Sequence, residues 1–363
     1  MPRFLFGCLL AGLLTLTSRE AAAQPPKIQE QIFEGFQRNA GLLWLEAIAF
    51  DGSAFAVQRS SGLTAERELV VVLRDNPATP AYRIPFQEVT GDIHNPWLFN
   101  SVAVSAAGER LVMRIASDAI EVRNRSSGSV WRRVVCPVGY HLQKMVLSRD
   151  ARTLVFTCRT QSLNGWYIAQ MEVESRYASV TGRELPFDGT ELIDISRSPN
   201  DRWVTWTTHR GTRLLDGATL ADAGWLHRGA AAVYQAWSAD GTVWLGSFAG
   251  SHSLARVEVS TRKASRIQLP KQQGFFRAHV FFSPSGRLGT ALSGFNHRFT
   301  IQWAAKGQAS RLDSSWTSGQ SLEVEDALVS ADGSTIVRLD ESYSRDADGT
   351  LPRHYSFVDV SAL

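Results

Sequence analysis

Hydrophobic and polar positions in this chain spell one sentence several times over. Its clearest copy is Ala236-Trp-Ser-Ala-Asp-Gly-Thr-Val-Trp-Leu-Gly-Ser-Phe248, in which apolar residues lead into Ser238, Asp240-Gly241 turns the chain, and a second apolar run leaves. The same order recurs at Ser105-Ala-Ala-Gly108, Ser148-Arg-Asp-Ala151, Ser198-Pro-Asn-Asp201, Ser283-Pro-Ser-Gly286 and Ser330-Ala-Asp-Gly333, with a degenerate copy at Ala49-Phe-Asp-Gly52. Asp-Gly and Asn-Asp supply the tight or left-handed backbone of a short hairpin turn, and a serine two residues earlier bonds that turn. β-branched and aromatic residues on both sides make each copy read as strand, turn, strand.

Successive copies are separated by 40 to 56 residues, the period of a four-stranded propeller blade. One hairpin cannot bury both of its faces, whereas radial stacking gives every sheet two apolar partners. Seven copies therefore predict an all-β, seven-bladed propeller of antiparallel blades. Further strands are expected at Glu68–Arg74 and Ala81–Phe86, at Ala119–Asn124 and Val130–Val135, at Trp166–Val173, and at Leu254–Val259 and Ser265–Leu269. Shorter ones are expected at Thr212–Leu215 and Phe299–Trp303. The chain ends in Tyr355–Val360, a third strand with no fourth behind it. Lys27–Phe36, the first polar-apolar stretch, is the segment expected to pair there and close the ring.

Residues 1–23 combine a basic start, the apolar run Phe4–Leu16 and the small residues Ala21-Ala-Ala23. That pattern is a secretory signal peptide, which places the mature start at Gln24, one propeller domain over 24–363, and the protein in the periplasm or outside the cell. No other run is long and apolar enough for a transmembrane helix. The formal net charge of +3 is dispersed, so the electrostatic footprint of a nucleic-acid binder is missing. Two cysteines survive removal of the leader. In an oxidising compartment Cys136 and Cys158 suggest one disulfide joining the second blade to the third, worth roughly 3 kcal/mol; the alternative is two buried thiols.

The Ser-x-Asp-Gly hairpins at Ser238 and Ser330, and less closely those at Ser148 and Ser283, resemble the repeats of TolB-like and WD40-like propellers. The resemblance spans nearly all of the mature chain and implies architecture and a bias toward binding. The Trp-Asp and Gly-His pairs of WD40 repeats are absent.

With strands running as in similar propellers, the loops after second strands and between blades share one face, opposite the serine turns. That face collects longer loops and the residue types favoured in recognition. Its candidate binding residues are His94, Trp97, Tyr140, His209, Arg210, Arg228, Phe275, Arg277, His297, Trp316 and Tyr343. Trp203, Trp206, Trp237 and Trp244 sit within strands and are expected in the core.

No nucleophile elbow, zinc helix, phosphate loop or dinucleotide fingerprint occurs, so no catalytic residue, metal or cofactor is assigned. Asp346-Ala-Asp348-Gly349 imitates the start of a calcium loop, but Tyr355 stands where the bidentate glutamate belongs. The expected function is a monomeric, exported module binding another extracytoplasmic protein or a small ligand. The alternative is a propeller enzyme, lactonase-like or a dehydrogenase, working in the central funnel.

Overall fold

The computed structural model describes residues 28–34, 43–60, 67–75, 82–85, 102–104, 110–114, 118–124, 127–160, 162, 165–175, 179–185, 192–248, 253–269, 277–293, 299–305, 312, 314–318, 323–341 and 353–363. They form seven four-stranded antiparallel sheets. The first holds β2 (Leu43–Ile48), β3 (Ala54–Ser60), β4 (Arg67–Leu73) and β5 (Tyr82–Pro85). The second holds β6 (Val102–Val104), β7 (Arg110–Arg114), β8 (Ala119–Asn124) and β9 (Val130–Val135). The third is β10 (Tyr140–Leu147), β11 (Thr153–Thr160), β12 (Trp166–Glu172) and β13 (Thr181–Leu185). The fourth is β14 (Leu192–Arg197), β15 (Trp203–Thr208), β16 (Gly211–Asp216) and β17 (Asp222–Arg228).

The fifth comprises β18 (Ala232–Trp237), β19 (Val243–Phe248), β20 (Ser253–Glu258) and β21 (Lys263–Gln268). The sixth comprises β22 (Arg277–Phe282), β23 (Leu288–Ser293), β24 (Thr300–Trp303) and β25 (Ser314–Thr317). The seventh runs β26 (Glu323–Val329), β27 (Thr335–Glu341) and β28 (Arg353–Asp359). Its fourth strand comes from the other end of the chain: β1 (Gln29–Glu34) pairs antiparallel with β28, Gln29 opposite Asp359 and Glu34 opposite His354. The first strands of the seven sheets touch in sequence, β2 to β6, β10, β14, β18, β22 and β26, and β26 touches β2. This is the seven-bladed arrangement that the repeats predict.

The serine turns explain themselves atom by atom. Ser148 Oγ donates to Asp150 Oδ1 at 2.6 Å and accepts the Thr153 amide at 2.9 Å, while Asp150 Oδ1 also accepts the Arg152 amide. Ser238 with Asp240, Ser330 with Asp332 and Ser198 with Asn200 repeat the same bonds. One side chain thus satisfies turn amides that would otherwise compete for water. The residue after each Asp or Asn has a left-handed backbone: φ is 67° at Gly333 and 68° at Gly241, and 58° at Ala151 and Asp201. Gly333 is required twice over, because a β-carbon there would lie 1.7 Å from the Phe282 carbonyl oxygen of the sixth blade.

Packing follows the two-residue period of a strand. In β11, Leu154, Phe156 and Cys158 face the second blade with Val112, Ile120, Val122 and Val134, whereas Val155 faces the fourth with Ile195, Val204 and Trp206. The same division recurs at the next seams, Trp237 and Trp244 joining Leu214 and Leu226, and Phe281 and Ile301 joining Ala327 and Ile336. Trp206, Trp237 and Trp244 are buried as expected. Trp203 is half-buried instead, with the guanidinium groups of Arg202 and Arg262 at 5.1 and 5.9 Å from its ring. The seam between the seventh and first blades carries a polar clamp, Arg74 to Asp359 and Thr335, both at 2.9 Å.

Cys136 and Cys158 are joined in a disulfide, with α-carbons 6.3 Å apart. It ties the end of β9 to β11 and so links the second blade to the third. Two outer strands escape the sequence pattern: Ser314–Trp316 reads as loop but lies in β25, and β17 has no expected counterpart beyond Arg228 on the loop face. Their mixed exposure leaves no clean apolar alternation to read. Residues 1–23 and Asp346–Gly349 lie outside the described residues.

Candidate functional site

Each first strand approaches the axis of the ring, and four of them lose register at the same place. The shifts fall at Leu142/Lys144, Leu192/Asp194, Ala232/Tyr234 and Val324/Asp326, at one common distance before Ser148, Ser198, Ser238 and Ser330. An extra unpaired residue bends a strand and re-aims the side chain that follows it. The residues whose side chains follow are Lys144, Asp194 and Tyr234; in β26 the backbone position is that of Asp326. His279 occupies the matching place in β22, which runs without a shift. A polar layer from successive blades therefore rings the axis, one step inward from the turns.

Beneath this layer the first strands surround a cavity of about 260 Å³ that extends to the serine turns. Asp194, Tyr234, Gln235 and His279 line its inner end. Val146, Ile195, Ala236, Val280, Phe281 and Leu328 line its walls, and Arg149, Pro199, Phe50 and Ala331 line its mouth. The volume is just under that of common small-ligand sites. Arg149 rests over the Phe50 ring at 5.4 Å, at the turn end.

The inner end is a connected network. Gln235 Nε2 donates to Asp194 Oδ2 at 3.1 Å, and Gln235 Oε1 accepts Trp244 Nε1 at 3.1 Å. Ser196 Oγ is 2.7 Å from Thr205 Oγ1 and accepts Trp237 Nε1 at 2.9 Å. Tyr234 and His279 stack, with ring centroids 3.9 Å apart and planes tilted by 40°. His279 is buried.

Asp194 is the electrostatic outlier. It touches the cavity but is otherwise enclosed by the ring, and this desolvation pushes its carboxyl above the usual carboxylate range. Lys144 on the neighbouring strand, the Ile195 amide and the Gln235 amide pull the other way without cancelling it. Nearer the turns, Arg197 Nε lies 2.7 Å from Asp201 Oδ1. Burial lowers the Arg197 guanidinium and raises the Asp201 carboxyl, each opposed by the other's charge.

The residues expected to bind are elsewhere. His94, Trp97, Phe275, His297 and Tyr343 lie outside the described residues, and Arg277 is placed only as the first residue of β22. Tyr140 opens β10, its hydroxyl donating to Glu184 Oε1 at 3.0 Å; desolvation and that carboxylate raise its phenol. His209 and Arg210 form the exposed turn between β15 and β16. Arg228 ends β17 with its guanidinium 5.5 Å from the Trp225 ring, and the Gly229 amide donates to the Arg210 carbonyl. Trp316 corrects its expected loop position: it lies in β25 opposite Ile301 and packs on the core. The structure thus brings Arg210 and Arg228 together, and none of Tyr140, His209, Arg210, Arg228 and Trp316 lines the cavity.

His279 is one of the histidines that the sequence scatters over the blades and that can converge only near the axis; Asp194 and Gln235 carry no such signal, because each differs from its counterpart in the next blade. The signal that points to them is the fixed offset before each turn serine, where the chain writes Lys144, Asp194, Tyr234, His279 and Asp326 in turn.

No family model matches this chain, and no curated protein sequence does. Solved structures match it. The β-propeller domain of Myceliophteria thermophila Cps50 (Swd1) is 11% identical with a TM-score of 0.58, covering 92% of this chain and 100% of that one. An oligogalacturonate lyase in complex with manganese is also 11% identical with a TM-score of 0.58, covering 93% of this chain and 99% of that one. At such identity the likeness is one of backbone architecture, and it shows that the chain has the β-propeller fold.

Proposed function

We propose that this protein is an exported binding module that holds a small ligand on the propeller axis. The observation that carries the proposal is the cavity of about 260 Å³ whose apolar walls end in the Asp194–Gln235 network and the Tyr234–His279 stack. A concave, largely apolar space with a few convergent polar groups is the usual form of a small-molecule site. The disulfide is the kind of bond an oxidising compartment maintains, which supports a periplasmic or secreted location. The face bearing His209, Arg210 and Arg228 remains the proposed surface for a protein partner.

The test is native mass spectrometry of the protein purified from the extracytoplasmic fraction, beside Ala236→Leu, which narrows the cavity. A bound small molecule is expected in the parent and not in the folded variant. Equal retention by both refutes the axial site. One observation favours an enzymatic reading, a carboxyl raised by desolvation in a cavity that a histidine also lines. Recovery of the ligand chemically altered after incubation would establish that reading instead.

A further inference from the structure

Burying a carboxylate is costly unless a cation or several donors compensate it. Asp194 receives one side-chain donor, the Gln235 amide, and the Ile195 amide of its own strand. Among the described residues no cation comes within ion-pair distance of it: Lys144 attracts it only from farther off, and Arg197, on the same strand, is engaged by Asp201. Gln235 has its carbonyl oxygen committed to Trp244, and Ser196 has its hydroxyl committed to Thr205 and Trp237. Asp194 is half-buried and lines the cavity, so further donors reach it from there.

The donor set decides what kind of cation fits. Asp194 is the one carboxylate among the described lining residues, whereas a hard divalent ion takes six or more oxygens. The remaining surface suits an organic body. Two stacked rings, Tyr234 and His279, line the same cavity as the carboxylate, together with aliphatic and aromatic walls. Ring faces attract an ammonium that a carboxylate already holds. At roughly 30 Å³ for a water-sized group, the cavity accommodates a ligand of about nine such groups.

We propose that the axial cavity binds a primary ammonium on a short apolar stem, its nitrogen donating to Asp194 and its stem lying along Ile195, Val280 and Phe281. This rests on the cavity being a ligand site. The same chemistry is offered by a free alkylamine or arylalkylamine and by a lysine side chain reaching in through the mouth. Lys144 is a positioning residue: its charge competes for the same carboxylate from the side, so removing it should tighten binding.

Isothermal titration of the purified full chain with n-butylamine, benzylamine, 1-butanol and butyrate reads the proposal. A Gly-Gly-Lys-Gly-Gly peptide and its norleucine counterpart separate the two sources. The two amines are expected to bind at least ten-fold more tightly than butanol or butyrate. Asp194→Asn, which keeps the acceptor for Gln235, should lose that preference while melting no lower than the parent. Lys144→Met should strengthen amine binding several-fold. Binding by the lysine peptide but not its norleucine counterpart identifies a protein side chain as the ligand; binding by the free amines alone identifies a small molecule. Equal binding of butanol or butyrate overturns the ammonium while leaving the cavity as a ligand site. An unchanged preference in Asp194→Asn overturns the role of the carboxylate. If none of the probes binds, the ammonium proposal falls, and the bound molecule found by mass spectrometry then judges the axial site separately.

Discussion

The serine turns and the polar layer just inside them belong to the same hairpins, yet they behave in opposite ways. At the turn, Ser148, Ser198, Ser238 and Ser330 make the same pair of bonds in four blades, and Ser283 approximates them with Ser285. One layer inward the backbone places repeat too, with a register shift at Lys144, Asp194 and Tyr234 and none at His279, but the side chains all differ. Where geometry and chemistry both repeat, the residues serve the ring. Where geometry repeats and chemistry does not, the ring is presenting different groups to a common point. Asp194, Tyr234 and His279 line the cavity there.

The comparison breaks most violently at Gly333. Its left-handed backbone and its contact with the Phe282 carbonyl make Gly333→Ala a collision between two blades, and a loss of more than about 4 kcal/mol is expected in urea unfolding. Gly286 is the control, since a β-carbon there meets nothing within 4 Å and only the backbone conformation resists. Next in size is the covalent seam. Cys158→Ala opens a loop with a sequence separation of 22 and should cost about 3 kcal/mol by chain entropy. Reductant should lower the melting temperature of the parent and leave that of the variant unmoved.

Ser330→Ala strips the Thr335 amide of its partner in a buried turn and should cost about 1–3 kcal/mol. Ala151→Gly runs the other way. It relieves a left-handed alanine, and a gain of up to about 1 kcal/mol should appear as a higher denaturation midpoint.

The smallest expected effect on stability sharpens the comparison most, because it lies in the inner layer. Burial raises the Asp194 carboxyl in the folded chain above its unfolded value. Between those two values the folded protein holds the proton more tightly, so the stability this group supplies falls as pH rises and is lost above the folded pKa. Asp194→Asn removes a partly desolvated charge that costs stability at neutral pH. The variant should therefore melt slightly above the parent at pH 7, with the difference closing as pH falls through the raised pKa. A variant that melts lower at pH 7 would show that the carboxylate is there for the fold.

The two layers were not equally legible. Turn chemistry is local: a serine, an acid two residues on and a residue in left-handed conformation form their bonds within six positions, so the pattern announced seven blades and their spacing. The strands beside those turns are apolar on both faces because both are covered, and they too could be read. Outer strands such as β17 and β25 were hidden because they are covered on one side at most, so their sequences look like loop. The cysteine pair was legible as a pair, because two blades in sequence place those strand ends near each other.

What the sequence by itself determined is the repeating hairpin, its period and the interior tryptophans, all consequences of short-range turn geometry and of burial on two faces. What only the tertiary structure decided is the inner polar layer. Lys144, Asp194, Tyr234 and His279 are separated by whole blades along the chain, and nothing in any one strand marks its residue as part of a common layer. Closing the ring brings them around one axis and partly desolvates Asp194, and neither convergence nor desolvation is a property of any local stretch.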